Sequence, residues 1–289
     1  MTDKPPAGEK KPQRLGVREI AKRVGVAPMT VSRALSNPDM VSPETRAKVL
    51  EAIAQAGFVP NRLASSMRGN GRMIGTVVPP LINSGIAEQV QGMSDECHES
   101  GYSMLLVQGE FTQEAEEKAI RNLLGWRPVG MILQSFVQSE TARALLKSSG
   151  APVVEISEIK GRKPIDMVVG VSNFETAYAM TMHLAAKGYK RIGFVSTPIH
   201  GNDRLQQRRT GAVQECHRRG WAVPGKIAIA GYGDMDLAAQ LHPPLTTVKV
   251  NRYEMGRRAV RQLLAKLGGD TKVPTITSLG FEIVDRESA

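Results

Sequence analysis

From Val17 to Ser36 the chain reads VREIAKRVGVAPMTVSRALS, and its apolar side chains follow two separate helical rhythms. Ile20, Ala21 and Val24 recur at three- and four-residue spacing, Gly25 interrupts them, and Val31, Ala34 and Leu35 resume the pattern at once. Two short amphipathic helices joined through a glycine predict a helix-turn-helix. Ala21, Gly25 and Val31 form its tight contact, leaving Met29, Thr30, Ser32 and Arg33 on the outer face, where hydrogen-bonding side chains and an arginine fork meet base edges and phosphates. A third helix follows the turn Asn37-Pro38-Asp39. Ser42 caps it, Pro43 suits its first position, Glu44 meets the positive end of its dipole, and Val49 and Ile53 carry its buried stripe as far as Gly57. Residues 15–59 therefore read as a three-helix headpiece. The segment Pro60–Arg68 can form at most two helical turns before Gly69 and Gly71. So short a helix is marginal alone because nucleation is costly, so it is ordered only when something binds it.

After Met73 the pattern changes. MIGTVVP, YSMLLVQ, GMILQ and PVVEI are apolar runs of strand length, separated by helical stretches at Ile86–Ser100, Thr112–Leu124 and Thr141–Ser149. Such alternation predicts an α/β fold, a parallel sheet with helices on both faces. MVVGV, RIGFVS and KIAIAGY read as strands of a second sheet of the same kind, with Asn173–Lys187 a helix between the first two.

Charge sharpens the reading of the amino-terminal part. The 289 residues carry a net charge of +10, and +7 of it lies between Met1 and Arg72, where 13 basic side chains face 6 acidic ones. Positive charge beside a helix-turn-helix favours a polyanion, through release of condensed counterions. Residues 1–14 contain three prolines and four basic side chains with almost nothing to bury, and read as a disordered basic arm. No apolar run approaches a membrane span and the start of the chain is polar where a signal peptide is apolar, so the expected place is the cytoplasm. Cys97 and Cys216 are too few for a disulfide framework.

The motifs GVxxxTVSRxL and VSPETRxKVxxAIxxxGFVPNRLASSMRG, as they stand from Gly25 to Gly69, resemble the lactose/purine repressor (LacI) family of bacterial transcription regulators. The resemblance implies an operator-binding headpiece used as a homodimer, a hinge helix over residues 60–72 that pairs with its twin in the minor groove, and a periplasmic-binding-protein-like effector domain over 73–289. It assigns Arg18, Ala27, Pro28, Met29, Thr30, Ser32, Arg33, Ser42, Thr45, Asn61 and Met67 to DNA. Met67 stands where the family's apolar wedge, usually leucine, enters the central base step. Pro28 and Met29 occupy the operator-choosing positions and offer no side-chain donor, so thymine methyls or groove shape decide the sequence read.

For the effector domain the resemblance implies two Rossmann-like halves, one over 73–165 and 245–273 and the other over 166–244 and 274–289, with a small sugar-like ligand held between them. Asn83, Arg208 and Asp234 are its candidate contacts. The wording DMVVGVSNFE, GYGDMD and LGFEI is closest to regulators of gluconate metabolism, and the planar fork of Arg208 suits a carboxylate or vicinal hydroxyls. One departure stands out. Between QQRRTG and KIAIAG this chain has only 14 residues, Ala212–Gly225, where the family has roughly seventy, so the second half is expected to be truncated by an internal deletion. That loss would expose apolar faces and unpaired strand edges unless partners cover them. Gly233 also stands where the family usually has an aspartate. The regulator expected is a repressor of carbohydrate or sugar-acid genes, with an effector-insensitive DNA binder as the alternative.

Other chemistries find no support. Gly220–Lys226 has P-loop spacing, but Ile227 replaces the required Ser/Thr. Gly231-Tyr-Gly233 lacks the third glycine of a dinucleotide fingerprint, because Asp236 sits there. The five histidines show no metal spacing, and no nucleophile elbow is present, so no enzyme, metal or cofactor is expected. A periplasmic ligand-binding module would need an export signal and no headpiece. A doubly wound fold by itself does not decide function.

Overall fold

The computed structural model describes residues 16–36, 38–56, 72–81, 84–109, 112–134, 138–159, 163–189, 218–221, 225 and 227–289. The chain divides into two compact units, Met1–Gly71 and Arg72–Ala289. The expected arm, the hinge segment Asn61–Arg68 and the strand RIGFVS lie outside the described residues.

In the first unit, α1 spans Val17–Val24, α2 Pro28–Ser36 and α3 Pro43–Ala56, with a short 3-10 turn at Pro38–Met40. Gly25 turns the chain with φ +72°, a left-handed conformation that glycine adopts without a Cβ penalty, and its N–H donates to the Ala21 carbonyl. The core of this unit is Ile20, Ala21, Val31, Ala34 and Val49, with Leu35, Val41 and Ile53 packed against it. These are the helix-periodic positions; Ala21 and Val31 share this core as expected, whereas Gly25, expected in the same contact, is exposed, with open space where a Cβ would stand.

The second unit is built on a six-stranded sheet, all parallel, in the order β2-β1-β3-β4-β5-β8. Its strands are β1 Met73–Val78, β2 Ser103–Gln108, β3 Gly130–Leu133, β4 Val153–Glu158, β5 Met167–Val171 and β8 Ile276–Ser278. Helices α4 (Ser84–Glu99) and α8 (Arg252–Leu267) cover one face, where Met93, Cys97, Ala259, Val260 and Leu263 meet Ile74, Ile132, Val154 and Val169. Helices α5 (Gln113–Gly125) and α6 (Glu140–Ser149) cover the other, where Ile120, Leu123 and Leu146 meet Val77, Met131 and Val153. Thr112, Ser139 and, ahead of α7 (Asn173–Ala186), Ser172 each cap their helix by accepting from the backbone N–H three residues on. A smaller sheet joins β6 (Ala230–Tyr232), β7 (Thr246–Lys249) and β9 (Glu282–Val284), with β6 parallel and β9 antiparallel to β7.

This topology corrects the division read from the sequence. Met167–Val171 belongs to the first sheet, not the second. It is apolar and buried throughout, pairs on one edge with β4 and on the other with β8, and is fixed by the Asp166 carboxylate accepting from Val153 N–H at 2.8 Å. Thr246–Lys249, placed by sequence in the first half, lies in the second sheet; Ile276–Ser278, placed in the second half, completes the first. The chain therefore crosses between sheets after β5, after β7 and after β8, so the boundaries expected at 165/166, 244/245 and 273/274 each fall several residues too early. Among the described residues of KIAIAGY only Ala230–Tyr232 is strand.

Candidate functional site

The DNA-binding face expected from sequence is laid out on the first unit. Val31 and Ala34 are buried in α2, which turns Pro28, Met29 and Arg33 outward with Ala27 just ahead of them; Thr30 and Ser32 are half-buried at the sides. Met29 is 58% exposed, a large thioether that the headpiece core does not need. Arg18 on α1 is exposed too, as are Lys22 and Arg23 in its last turn. At the start of α3 the Ser42 hydroxyl donates to Thr45 Oγ1 at 2.9 Å and accepts from Thr45 N–H at 3.4 Å. The helix amino-terminus and both hydroxyls are thus held together, a combination suited to phosphate oxygens. One turn on, Lys48 and Glu44 pair at 2.8 Å, and the bond from Lys48 holds the Glu44 carboxyl below its usual range. Asn61 and Met67 lie outside the described residues.

The three effector candidates fare differently. Asn83 and Arg208 lie outside the described residues. Asp234 follows β6 with φ +41°, its N–H on Thr247 Oγ1, and its carboxylate is committed to Arg286 Nη1 at 2.7 Å in a largely buried pair. Arg286 Nη1 also donates to the Leu245 carbonyl, so the pair ties the turn after β6 to the strand end beyond β9. That geometry gives Asp234 a structural bond.

A charged group not singled out in the sequence stands beside it. Arg252, the first residue of α8, donates from Nη1 to the Gly233 carbonyl at 2.8 Å, and its guanidinium lies 5.9 Å from the Tyr232 ring centroid. No acidic partner meets it among the described residues. Nothing in VNRYEMG marks this arginine out, because its neighbours Tyr232 and Gly233 come from a strand end distant in the sequence. Among the described residues there is likewise no group of three or more His, Cys, Asp or Glu side chains placed to hold a metal ion, and no helix long and apolar enough to cross a membrane.

Comparison with known proteins places both units. Residues 17–61 match the family described as bacterial regulatory proteins, lacI family; residues 72–241 match periplasmic binding proteins and sugar binding domain of LacI family; and residues 208–289 match a periplasmic binding protein-like domain. The HTH-type transcriptional regulator GntR of Escherichia coli (strain K12) is 28% identical over 325 aligned positions, covering 94% of this chain and 98% of that protein. A LacI family transcriptional regulator from Silicibacter pomeroyi superposes with a TM-score of 0.79 at 27% identity, over 95% of this chain and 99% of that one. The lac repressor dimer bound to operator and the anti-inducer ONPF has the same fold, with a TM-score of 0.81 at 22% identity over 96% and 99% of the two chains.

Proposed function

Because the chain belongs to the lacI family of bacterial regulatory proteins, and is with that family a DNA-binding transcriptional regulator, we propose that it is a homodimeric cytoplasmic repressor of sugar-acid metabolism genes whose hold on its operator is altered by gluconate or a close relative. The observation that carries this reading is the outward face of α2, where Pro28, Met29 and Arg33 stand exposed over a buried Val31 and Ala34. Ala27–Leu35 enters the major groove of a half-site, with Met29 against thymine methyls and Arg33 on base edge or phosphate. Arg18, Ser42 and Thr45 hold the backbone. Asn61 and Met67 of paired hinges bend the centre of the site from the minor groove. Ligand between the two halves changes the hinge separation and hence operator affinity, a two-state device.

A second reading, an operator binder insensitive to sugar acids, is favoured by one observation. The alignment with the Escherichia coli regulator is longer than the chain itself, which supports an internal shortening of the second half. One experiment separates the two. Incubation of the full chain with a library of palindromic duplexes, with and without sodium gluconate, is expected to retain a defined palindrome and to release it on addition of gluconate. Retention unaffected by gluconate supports the second reading. Absence of any preference among duplexes, even at low salt, overturns both.

A further inference from the structure

Resting on the effector-controlled reading above, we infer that Arg252 anchors the carboxylate of the effector while the Gln89–Gln134 amide pair receives a hydroxyl of its chain, so that the ligand class is a polyhydroxy carboxylate. The guanidinium occupies a space that two glycines keep open. A Cβ on Gly85, in the first turn of α4, would lie 2.9 Å from Nε, 3.0 Å from Cδ and 3.0 Å from Cζ. Near-equal distances to three atoms of the planar group place Gly85 over its flat face. A Cβ on Gly233 would lie 2.8 Å from Nη2. Neither position tolerates a side chain without moving the arginine.

The fork so placed is half-buried and only partly used. Nη1 donates to Gly233 O, while the Nε–Nη2 edge, the geometry that meets both oxygens of a carboxylate, has no partner among the described residues. The acids nearest along the chain are taken: Asp234 by Arg286 at 2.7 Å, and Glu254 by Arg261 at 3.0 Å. Gly85 and Gly233 follow the carboxyl ends of parallel strands in the first and second sheets, where α/β folds bind ligands. A partly desolvated cation without a counter-charge at such a place is matched by an anion.

One turn along the same face of α4, Gln89 is 4% exposed, and its Nε2 has no partner among the described residues. Gln134, just past β3, donates its Nε2 to Gln89 Oε1 and keeps its own Oε1 unpartnered. Each amide therefore retains one unmet group, a donor on one and an acceptor on the other. A hydroxyl both donates and accepts, and it satisfies the two together; leaving buried polar groups unpaired is costly.

The test is calorimetric titration of the full chain with sodium D-gluconate, D-gluconamide, D-glucitol and sodium sulfate. Gluconate is expected to bind at least tenfold more tightly than the uncharged gluconamide and glucitol, which have similar chains, and more tightly than sulfate, which has no hydroxyl chain. Arg252→Gln is expected to bring gluconate down to the gluconamide level, with Arg252→Lys intermediate. Equal binding of gluconamide and gluconate by the unaltered protein overturns the inference without needing any variant to fold, and sulfate binding as tightly as gluconate removes the role of the amide pair. Full release of operator by gluconate from Arg252→Gln would leave sugar-acid control standing and remove this site. Loss of operator preference in the unaltered chain is the separate failure of the regulatory reading.

Discussion

Burial pushes the Cys97 thiol up to about 11 from an ordinary value of 9.0, with the Glu96 charge adding to the effect. Two units of thiol acidity amount to about a hundredfold less thiolate at neutral pH, and the thiolate is the reactive form. In a Cys216→Ser variant, Cys97 is therefore expected to react with an aromatic disulfide reagent at least ~100-fold more slowly in the native protein than in denaturant. Equal rates in the two states would show that the α4 side of the first sheet opens readily. At this scale the sequence was most informative where a residue's environment is set by its own helix. Ile20, Ala21, Val31, Ala34 and Val49 are buried as their periodicity requires, and Met29 is exposed as the complementary face requires. It was least informative for Arg252 and Asp234. The role of each depends on a partner brought in by the fold from 19 and 52 positions away, Gly233 and Arg286.

The pair α4 and α8 shows what an element can conceal in one dimension. A Cβ on Gly256 would lie 2.1 Å from the Gln89 carbonyl oxygen, and one on Gly92 would lie 2.1 Å from that of Tyr253. The two backbones touch, and Glu96 across the contact accepts from both Arg257 and Arg261 at 2.8 Å. Gly256→Leu must push the helices apart or displace one from the sheet, and is expected to cost about 3 kcal/mol or more by urea unfolding. Gly125→Ala at the exposed end of α5, where a Cβ meets nothing, serves as the control and should change stability by less than about 1 kcal/mol. Near-neutral behaviour of Gly256→Leu would mean that the close crossing is not needed. Helix limits were legible from local pattern: the stretches read as Thr112–Leu124 and Asn173–Lys187 lie within a residue of the helices observed. The allotment of MVVGV was not, since a run buried on both faces carries no mark of the sheet it joins. On α7, Phe174, Tyr178 and Met182, four residues apart, are 60%, 60% and 52% exposed.

At the level of the whole molecule, each unit has a core of its own. Three short helices around Ile20, Ala21, Val31, Ala34 and Val49 bury far less than six strands between two helix layers, and the smaller core is the less stable one because buried fraction falls with size. Calorimetric heating of the full chain is therefore expected to give two transitions, the headpiece melting first. Ligands then report which unit they bind. An operator duplex at about a hundred times its dissociation constant adds about 2.7 kcal/mol to whatever folds with it, so it should raise the first transition clearly. Gluconate should raise only the second, and Arg252→Gln should abolish that rise while the operator effect persists on the first. A single transition, or a gluconate shift confined to the headpiece, would contradict the proposed division of labour between a unit that grips DNA and a unit that senses a small acid. The net +7 carried by Met1–Arg72 bears on the same experiment. Counterion release makes operator affinity fall steeply with salt, so the first transition should lose its operator stabilisation between low and moderate salt while the gluconate shift of the second changes little.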